Sequence, residues 1–303
     1  MMTIIDLARR TTWVVLALAL MVGVAQAEGN DDARDTIKKR FDVNPGGTLL
    51  IDLDHGNIEI EPGQDDVVYI EVERIVEARD RDEAKQILEA HELDFDQSGD
   101  DVRMRSRFDR ERWKRTLWRR GVEFKVEVTI RVPERYNVDF TNGAGNVVID
   151  DLIGDVEGRT GAGNVTIGTV RGPVDVTSGS GNIEVDGAEG RIRINSGAGN
   201  VILRRVEGEI RATTGAGNII AKITSQPDGD SRLESGAGNV TVYLDEDVGV
   251  YVDATASVGS ASCDYPLRVK GKWMSKSFGG HVNGGGPELT LRSGVGNVAL
   301  KKM

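Results

Sequence analysis

The tetrapeptide Gly-x-Gly-Asn recurs along the middle of this 303-residue chain, at Gly143–Asn146, Gly161–Asn164, Gly179–Asn182, Gly197–Asn200, Gly215–Asn218 and Gly236–Asn239. The first five asparagines are spaced by 18 residues, the next gap is 21, and a last copy stands at Gly294–Asn297. A fixed period of this length restricts the chain to stacked coils, each touching only its neighbours, so the rest of the sequence is read through it.

Aligned on the repeat, apolar residues fall into columns. Val147, Val165, Ile183, Val201 and Ile219 follow the Asn directly, with Ile149, Ile167, Val185, Leu203 and Ala221 two residues further on. Nine residues after the first column come Val156, Val174, Ile192 and Ile210, then Gly158, Val176, Ile194 and Ala212. Residues two apart share one face of a strand. Each coil therefore reads as two nine-residue halves, each a short alternating strand and a glycine turn. A hexapeptide β-helix also has 18 residues per coil, but it repeats its apolar positions every six residues, not every nine. The expected fold class is all-β: a β-solenoid of 18-residue two-strand coils, with one short helix in an N-terminal insertion or cap. The stacked asparagines are expected to hydrogen-bond along the turn as a ladder, and Thr160, Ser178, Ser196 and Thr214 just before it to do likewise.

The flanks divide the chain. Residues 1–27 read as a signal peptide: Arg9 and Arg10, the apolar stretch Trp13–Ala25, and the small-x-small site Ala25-Gln26-Ala27. No other apolar run is long enough to span a bilayer. Residues 28–47 are charged and read as a flexible lead-in. Residues 48–140 form an N-terminal β region that begins with a disguised repeat, Thr48–Ile60, and contains a helix over 80–93 and a basic loop over 103–120. Asp80 and Glu83 have capping-box spacing, and Ala84, Ile87, Leu88 and His91 fall on one helical face. Val122–Val132 alternates strictly and reads as a half-buried strand. Regular coils occupy 141–244, where Gln226–Gly229 widens one turn, and irregular coils with a cap fill 245–303. The single cysteine, Cys263, excludes an internal disulfide framework and reads as a small packed residue.

A formal net charge of −11 argues against a nucleic-acid partner. One segment runs against it: 103–120 holds nine Lys/Arg with two interleaved tryptophans. Its Arg103, Arg105, Arg107, Arg110, Arg112, Trp113, Lys114, Arg115, Trp118, Arg119 and Arg120 are the candidate contacts to an anionic surface; the plainer reading is a solvated extension that balances the acidic surface. The Gly-x-Gly-Asn turn resembles calcium-binding nonapeptides, but Val or Ile stands where their aspartate ligand would be. It lacks the Gly-Lys-Ser/Thr ending of a phosphate loop. No Cys/His metal spacing or nucleophile elbow is present, and the outward column Asp150, Thr166, Glu184, Ile202 does not keep one charge. No cofactor or metal is expected, and no catalytic residue is assigned.

The early Gly56–Ile60 (GNIEI), the helix with Glu83–Ala90 (EAKQILEA), Val128–Phe140 (VTIRVPERYNVDF), the glycine-punctuated repeats and the closing Gly284–Leu300 together resemble a bacterial "putative adhesin" family, a domain of unknown function. The resemblance covers about 49–300. It implies a β-solenoid in an envelope setting and carries no established catalytic residues. The expected function is an exported, non-enzymatic binding or scaffolding module of the cell envelope, periplasmic or at the cell surface. Its partner would be a glycan, an anionic lipid surface or a protein. An envelope-stress or signalling accessory that binds a protein partner is the alternative, and a polysaccharide-acting enzyme the remote one.

Overall fold

A computed structural model describes residues 33–78, 80–108, 122–270 and 275–303. In chain order these give β1 (Ala33–Asp42), β2 (Thr48–Leu53), β3 (Asn57–Gly63), β4 (Val67–Glu77), α1 (Arg81–Glu89), β5 (His91–Ser98), β6 (Asp101–Phe108), β7 (Glu123–Pro133), β8 (Asn137–Ala144), β9 (Val147–Ile149) and β10 (Leu152–Ile153). The regular coils follow as β11 (Val156–Ala162), β12 (Val165–Arg171), β13 (Val174–Ser180), β14 (Ile183–Ala188), β15 (Ile192–Ala198), β16 (Val201–Val206), β17 (Ile210–Ala216), β18 (Ile219–Ile223), β19 (Ser231–Ala237) and β20 (Val240–Leu244). The chain closes with β21 (Val250–Val258), β22 (Ala261–Cys263), β23 (Lys276–Val282), β24 (Glu288–Val295) and β25 (Val298–Lys302).

The two halves of each coil feed two facing sheets. One has 13 strands, in the order β1-β4-β7-β3-β9-β12-β14-β16-β18-β20-β25-β22 with β10 beside β12; the other has 12, β23-β21-β24-β19-β17-β15-β13-β11-β8-β2-β6-β5. The coil strands pair in parallel, in the register the repeat implies: Val165 beside Ile183, Val201 beside Ile219. Every inward Val, Ile and Leu of the regular coils is almost fully buried. Each such side chain contributes roughly 1.5–3 kcal/mol before entropy, so a single coil cannot stand alone and a stack can.

The asparagine ladder runs the length of the stack. Each Asn N–H donates to the side-chain Oδ1 of the Asn one coil earlier: Asn146 to Asn57 (2.8 Å), Asn164 to Asn146 (3.0 Å), and onward through Asn218, Asn239 and Asn297. The ends are closed by other residues. Glu127 on β7 accepts from Asn57 Nδ2 (2.9 Å), and Ser260 N–H donates to Asn297 Oδ1 (3.0 Å). The hydroxyls do not form the ladder expected of them. Thr214, and likewise Ser235 and Ser293 of later coils, donate to glycine carbonyls of the adjoining coil (Gly199, Gly217, Gly238) at 2.8–2.9 Å; Thr160 donates to Ala162 of its own turn (3.3 Å), and the Ser178 and Ser196 hydroxyls are buried with no hydrogen-bond partner.

Two features depart from the sequence reading. Residues 28–47 are not simply a lead-in, since Ala33–Asp42 pairs antiparallel with β4 as the edge strand. Its inward residues Asp35, Ile37, Lys39 and Phe41 alternate correctly, but with two charges among them the pattern reads as polar. The C-terminal coils also do not stack in chain order. β24 and β25 insert between β19/β20 and β21/β22. The ladder gives a reason: Gly294–Asn297 supplies an asparagine that can accept from a further coil, whereas the Val258–Ser260 turn has only a serine and is placed last.

The helix covers the N-terminal end of the core. Asp80 caps it by accepting from Asp82 N–H (3.1 Å), and Ala84 and Ile87 face inward. It ends at Ala90, earlier than expected, because His91 already begins β5.

Candidate functional site

Beside this cap, the outward faces of β6, β2 and β8 form an open depression of about 260 Å³ lined by Leu50, Ile51, Asp52, Arg103, Arg105, Asp139 and Thr141. Alternation along β6 sends Val102, Met104 and Ser106 inward and Arg103, Arg105 and Arg107 outward. Arg103 lies between Leu50 on β2 and Asp96 on β5, and Arg105 between Asp52 and Asp94. Arg107 is tied down. Its guanidinium hydrogen-bonds the Asp52 carboxylate and reaches Asp54 at 3.3 Å, and the Asp52 bond raises its pKa further. The depression thus combines two guanidinium groups, two carboxylates and a hydroxyl, a donor and acceptor set suited to a polar ligand.

Of the sequence-predicted contact residues, Arg103, Arg105 and Arg107 come together on this face. Arg110, Arg112, Trp113, Lys114, Arg115, Trp118, Arg119 and Arg120 lie outside the described residues. The strands on either side are described: β6 and β7 pair in parallel with β2 and β3, respectively. In the sequence β2 and β3 are connected by 54–56, whereas fourteen residues, 109–122, separate β6 from β7. Sequence reasoning missed Asp52, Asp54 and Asp139. The signal was the alternation itself: Asp52 and Asp54 alternate with inward Ile51 and Leu53, and Asp139 stands between inward Val138 and Phe140.

His91 was expected at the border of a helix face. It is instead a buried strand residue, with Nε2 2.7 Å from Ser106 Oγ and its ring against Phe108 (4.6 Å) and Phe124 (5.1 Å). Burial, then the Arg74 guanidinium and His55, push its pKa down to about 3. Arg74 points into the same end of the core, donating to the carbonyls of Leu88 and His91 and pairing with Asp35. The unfolded chain takes up a proton near pH 6.5 that the folded chain refuses until about pH 3, so stability falls as pH drops through this window. At about 1.36 kcal/mol per unit, the loss is about 2 kcal/mol by pH 5. A His91→Leu/Ser106→Ala variant is expected to lack this component, which urea titrations at pH 7 and pH 5 would show as a smaller drop than in the native chain. An equal drop in both would contradict it.

Tyr265 and Phe278 are buried at the opposite end, and Lys270 and Ser277 exchange backbone hydrogen bonds there (2.7 and 2.8 Å). The described residues here close the stack, within the irregular coils and cap expected over 245–303. Cys263 is half-buried against the core, and burial raises its thiol pKa. Among the described residues no group of three or more His, Cys, Asp or Glu could hold a metal ion, and no helix is long and apolar enough to cross a membrane.

The architecture defines a two-sided parallel β-solenoid, capped at both ends. Residues 48–301 match the Toastrack DUF4097 family, and the chain belongs to it. Among solved structures it is similar to a "putative adhesin" from Bacteroides fragilis NCTC 9343 (15% identity, TM-score 0.48, covering 88% of this chain and 97% of that one). It is also similar to a "putative cell adhesion protein" from Clostridium sporogenes ATCC 15579 (16%, TM-score 0.26, 88% and 100%) and a "putative lipid binding protein" from Parabacteroides distasonis ATCC 8503 (10%, TM-score 0.40, 89% and 97%). No curated protein matches the chain.

Proposed function

We propose that this protein is an exported, non-enzymatic binding module of the bacterial cell envelope, released from its 1–27 leader, that meets an anionic envelope component through 103–120. One observation supports this reading above others. The coil system is periodic and largely self-satisfied, yet the sequence that connects β6 to β7 carries six Lys/Arg and two tryptophans, where β2 and β3 are connected by three residues. Arg103 and Arg105 extend that charge onto the adjoining face. Headgroup phosphates and acidic glycans offer the same chemistry, and indole rings suit the boundary between an apolar and a wet phase.

The test is co-sedimentation of the protein with vesicles of phosphatidylglycerol and of phosphatidylcholine, alongside an array of acidic and neutral glycans. Binding to the anionic member of either set, weakening at about 0.5 M NaCl, is expected. Equal binding to charged and neutral surfaces, or none to either set, would contradict it. Selective capture of one envelope protein in place of both would favour the signalling-accessory reading.

A further inference from the structure

The outward face of the 12-stranded sheet carries its charge in blocks. Asp139, Glu157 and Asp175 stand in one column on β8, β11 and β13; the next three strands, β15, β17 and β19, put Arg193, Arg211 and Arg232 in that same column. Like charges on neighbouring strands are unfavourable. Asp139 shows the effect, its pKa raised by burial and then by the Glu157 carboxylate. The single chain already partners five of the six, Glu157 with Arg159 (2.7 Å), Asp175 with Arg193 (3.3 Å), Arg211 with Glu209 (2.6 Å) and Arg232 with Glu234 (2.7 Å), so what the segregation adds is a face with two halves of opposite sign. The boundary between the blocks falls at the middle of the sheet, between its sixth and seventh strands from either edge.

That position makes the face complementary to itself. A two-fold axis lying in the face, parallel to the strands and passing between β13 and β15, keeps each column over itself and reverses the strand order. It sets Asp175 against Arg193 of a second copy, Glu157 against Arg211, and Asp139 against Arg232, each pair occurring twice as an isologous contact requires. The same operation brings Arg103 opposite Asp253 and, one outward column along, Asp52 opposite Arg292. Neither column contains a like-charge encounter. Nearer the turns Asp155 would meet Glu209, whose carboxylate is already hydrogen-bonded to Arg211 at 2.6 Å.

We propose that two copies of this chain associate face to face through this sheet, with their solenoid axes antiparallel. The ion pairs now within the face, such as Arg193–Asp175 (3.3 Å) and Arg232–Glu234 (2.7 Å), involve largely exposed side chains and exchange at little cost. The area is adequate. Six central strands about 4.8 Å apart, each about 20 Å long, present roughly 600 Å² per copy, so the pair buries about 1,200 Å², the lower bound of a standard interface. The flanking strands add to it. This inference does not rest on the envelope-ligand reading, although the two share a face: the pairing would cover the depression that Asp52, Arg103 and Asp139 line.

Sedimentation velocity of the full chain tests it, with two charge-reversed variants: Arg193→Glu/Arg211→Glu/Arg232→Glu and Asp139→Lys/Glu157→Lys/Asp175→Lys. The native chain is expected to sediment as a dimer at low ionic strength and to dissociate at about 0.5 M NaCl. Each variant alone is expected to be monomeric, its dissociation constant raised more than about 100-fold, and an equimolar mixture of the two to recover a dimer. Recovery on mixing separates lost complementarity from lost folding, and circular dichroism of each variant checks the latter. A monomeric native chain at low salt, a dimer indifferent to either reversal, or folded variants that stay monomeric on mixing would overturn the proposal.

Discussion

Gly199→Ala is expected to destabilise the fold by about 4 kcal/mol or more, among the largest effects a single added methyl group can have. Gly199 sits at φ +144°, and a Cβ there would lie 2.0 Å from the Gly181 carbonyl oxygen and 2.5 Å from its carbon. Both are backbone atoms of the adjoining coil, so no side chain can turn aside to make room. Relief requires moving one coil off the other, which would stretch the Asn200–Asn182 hydrogen bond at 2.9 Å and the pairing beside it. The neighbouring position is the control. Ala198 is exposed and shares its column with Ser180, so Ala198→Ser should change stability by no more than about 0.5 kcal/mol. Urea unfolding followed by circular dichroism reads both; comparable midpoints for the two variants would contradict the close stacking of turns.

The second large effect lies in the core. Phe140 is fully buried on β8, and its register partner on β11 is Gly158, where the following coils have Val176 and Ile194. A Cβ on Gly158 would meet the Phe140 ring at 2.1 Å. The missing side chain of one coil is thus the space filled by the ring of the coil before it. Phe140→Ala is expected to cost about 3–5 kcal/mol, and Gly158→Val about 3 kcal/mol through overpacking. The double variant Phe140→Ala/Gly158→Val puts the branched side chain of the next coils into the space the ring leaves and should recover at least about 2 kcal/mol of the summed losses. Additive losses in a double-mutant cycle would show that the two positions do not share one space.

How far the sequence exposed this arrangement depends on how local each signal was. Val165, Ile183, Val201 and Ile219 announced a column because coils of equal length repeat their environment. Asn146 to Asn239 announced a ladder because one polar group at a fixed place needs a partner at that period. The serine and threonine hydroxyls misled because Thr160 and Thr214 reach backbone carbonyls, which carry no sequence signal, while Ser178 and Ser196 reach no partner. The insertion of β24/β25 was hidden for a different reason: it sets the turn that carries Asn297 ahead of the turn that carries Ser260, a relation between two distant stretches that neither shows alone. In the candidate site, Arg103, Arg105 and Arg107 stood out as a basic run. That Arg107 is neutralised by Asp52 and Asp54 depends on β2 and β6 lying side by side, although about fifty residues separate them. The Asp139-to-Arg232 charge blocks were equally invisible, since each coil contributes one residue and only the register assembles them.

The measurement that bears most directly on the division between scaffold and binding segment compares two charge-neutralised variants on anionic vesicles. One removes Arg110, Arg112, Arg115, Arg119 and Arg120 as glutamine; the other removes Arg204 and Arg205, which lie on the regular coil strand β16. With about 1 kcal/mol of attraction per basic residue near such a surface, the first is expected to lose at least 100-fold in affinity while the second stays within a few fold of the native chain. Retained binding in the first variant, or an equal loss in both, would contradict the assignment of binding to the segment that breaks the Gly-x-Gly-Asn period.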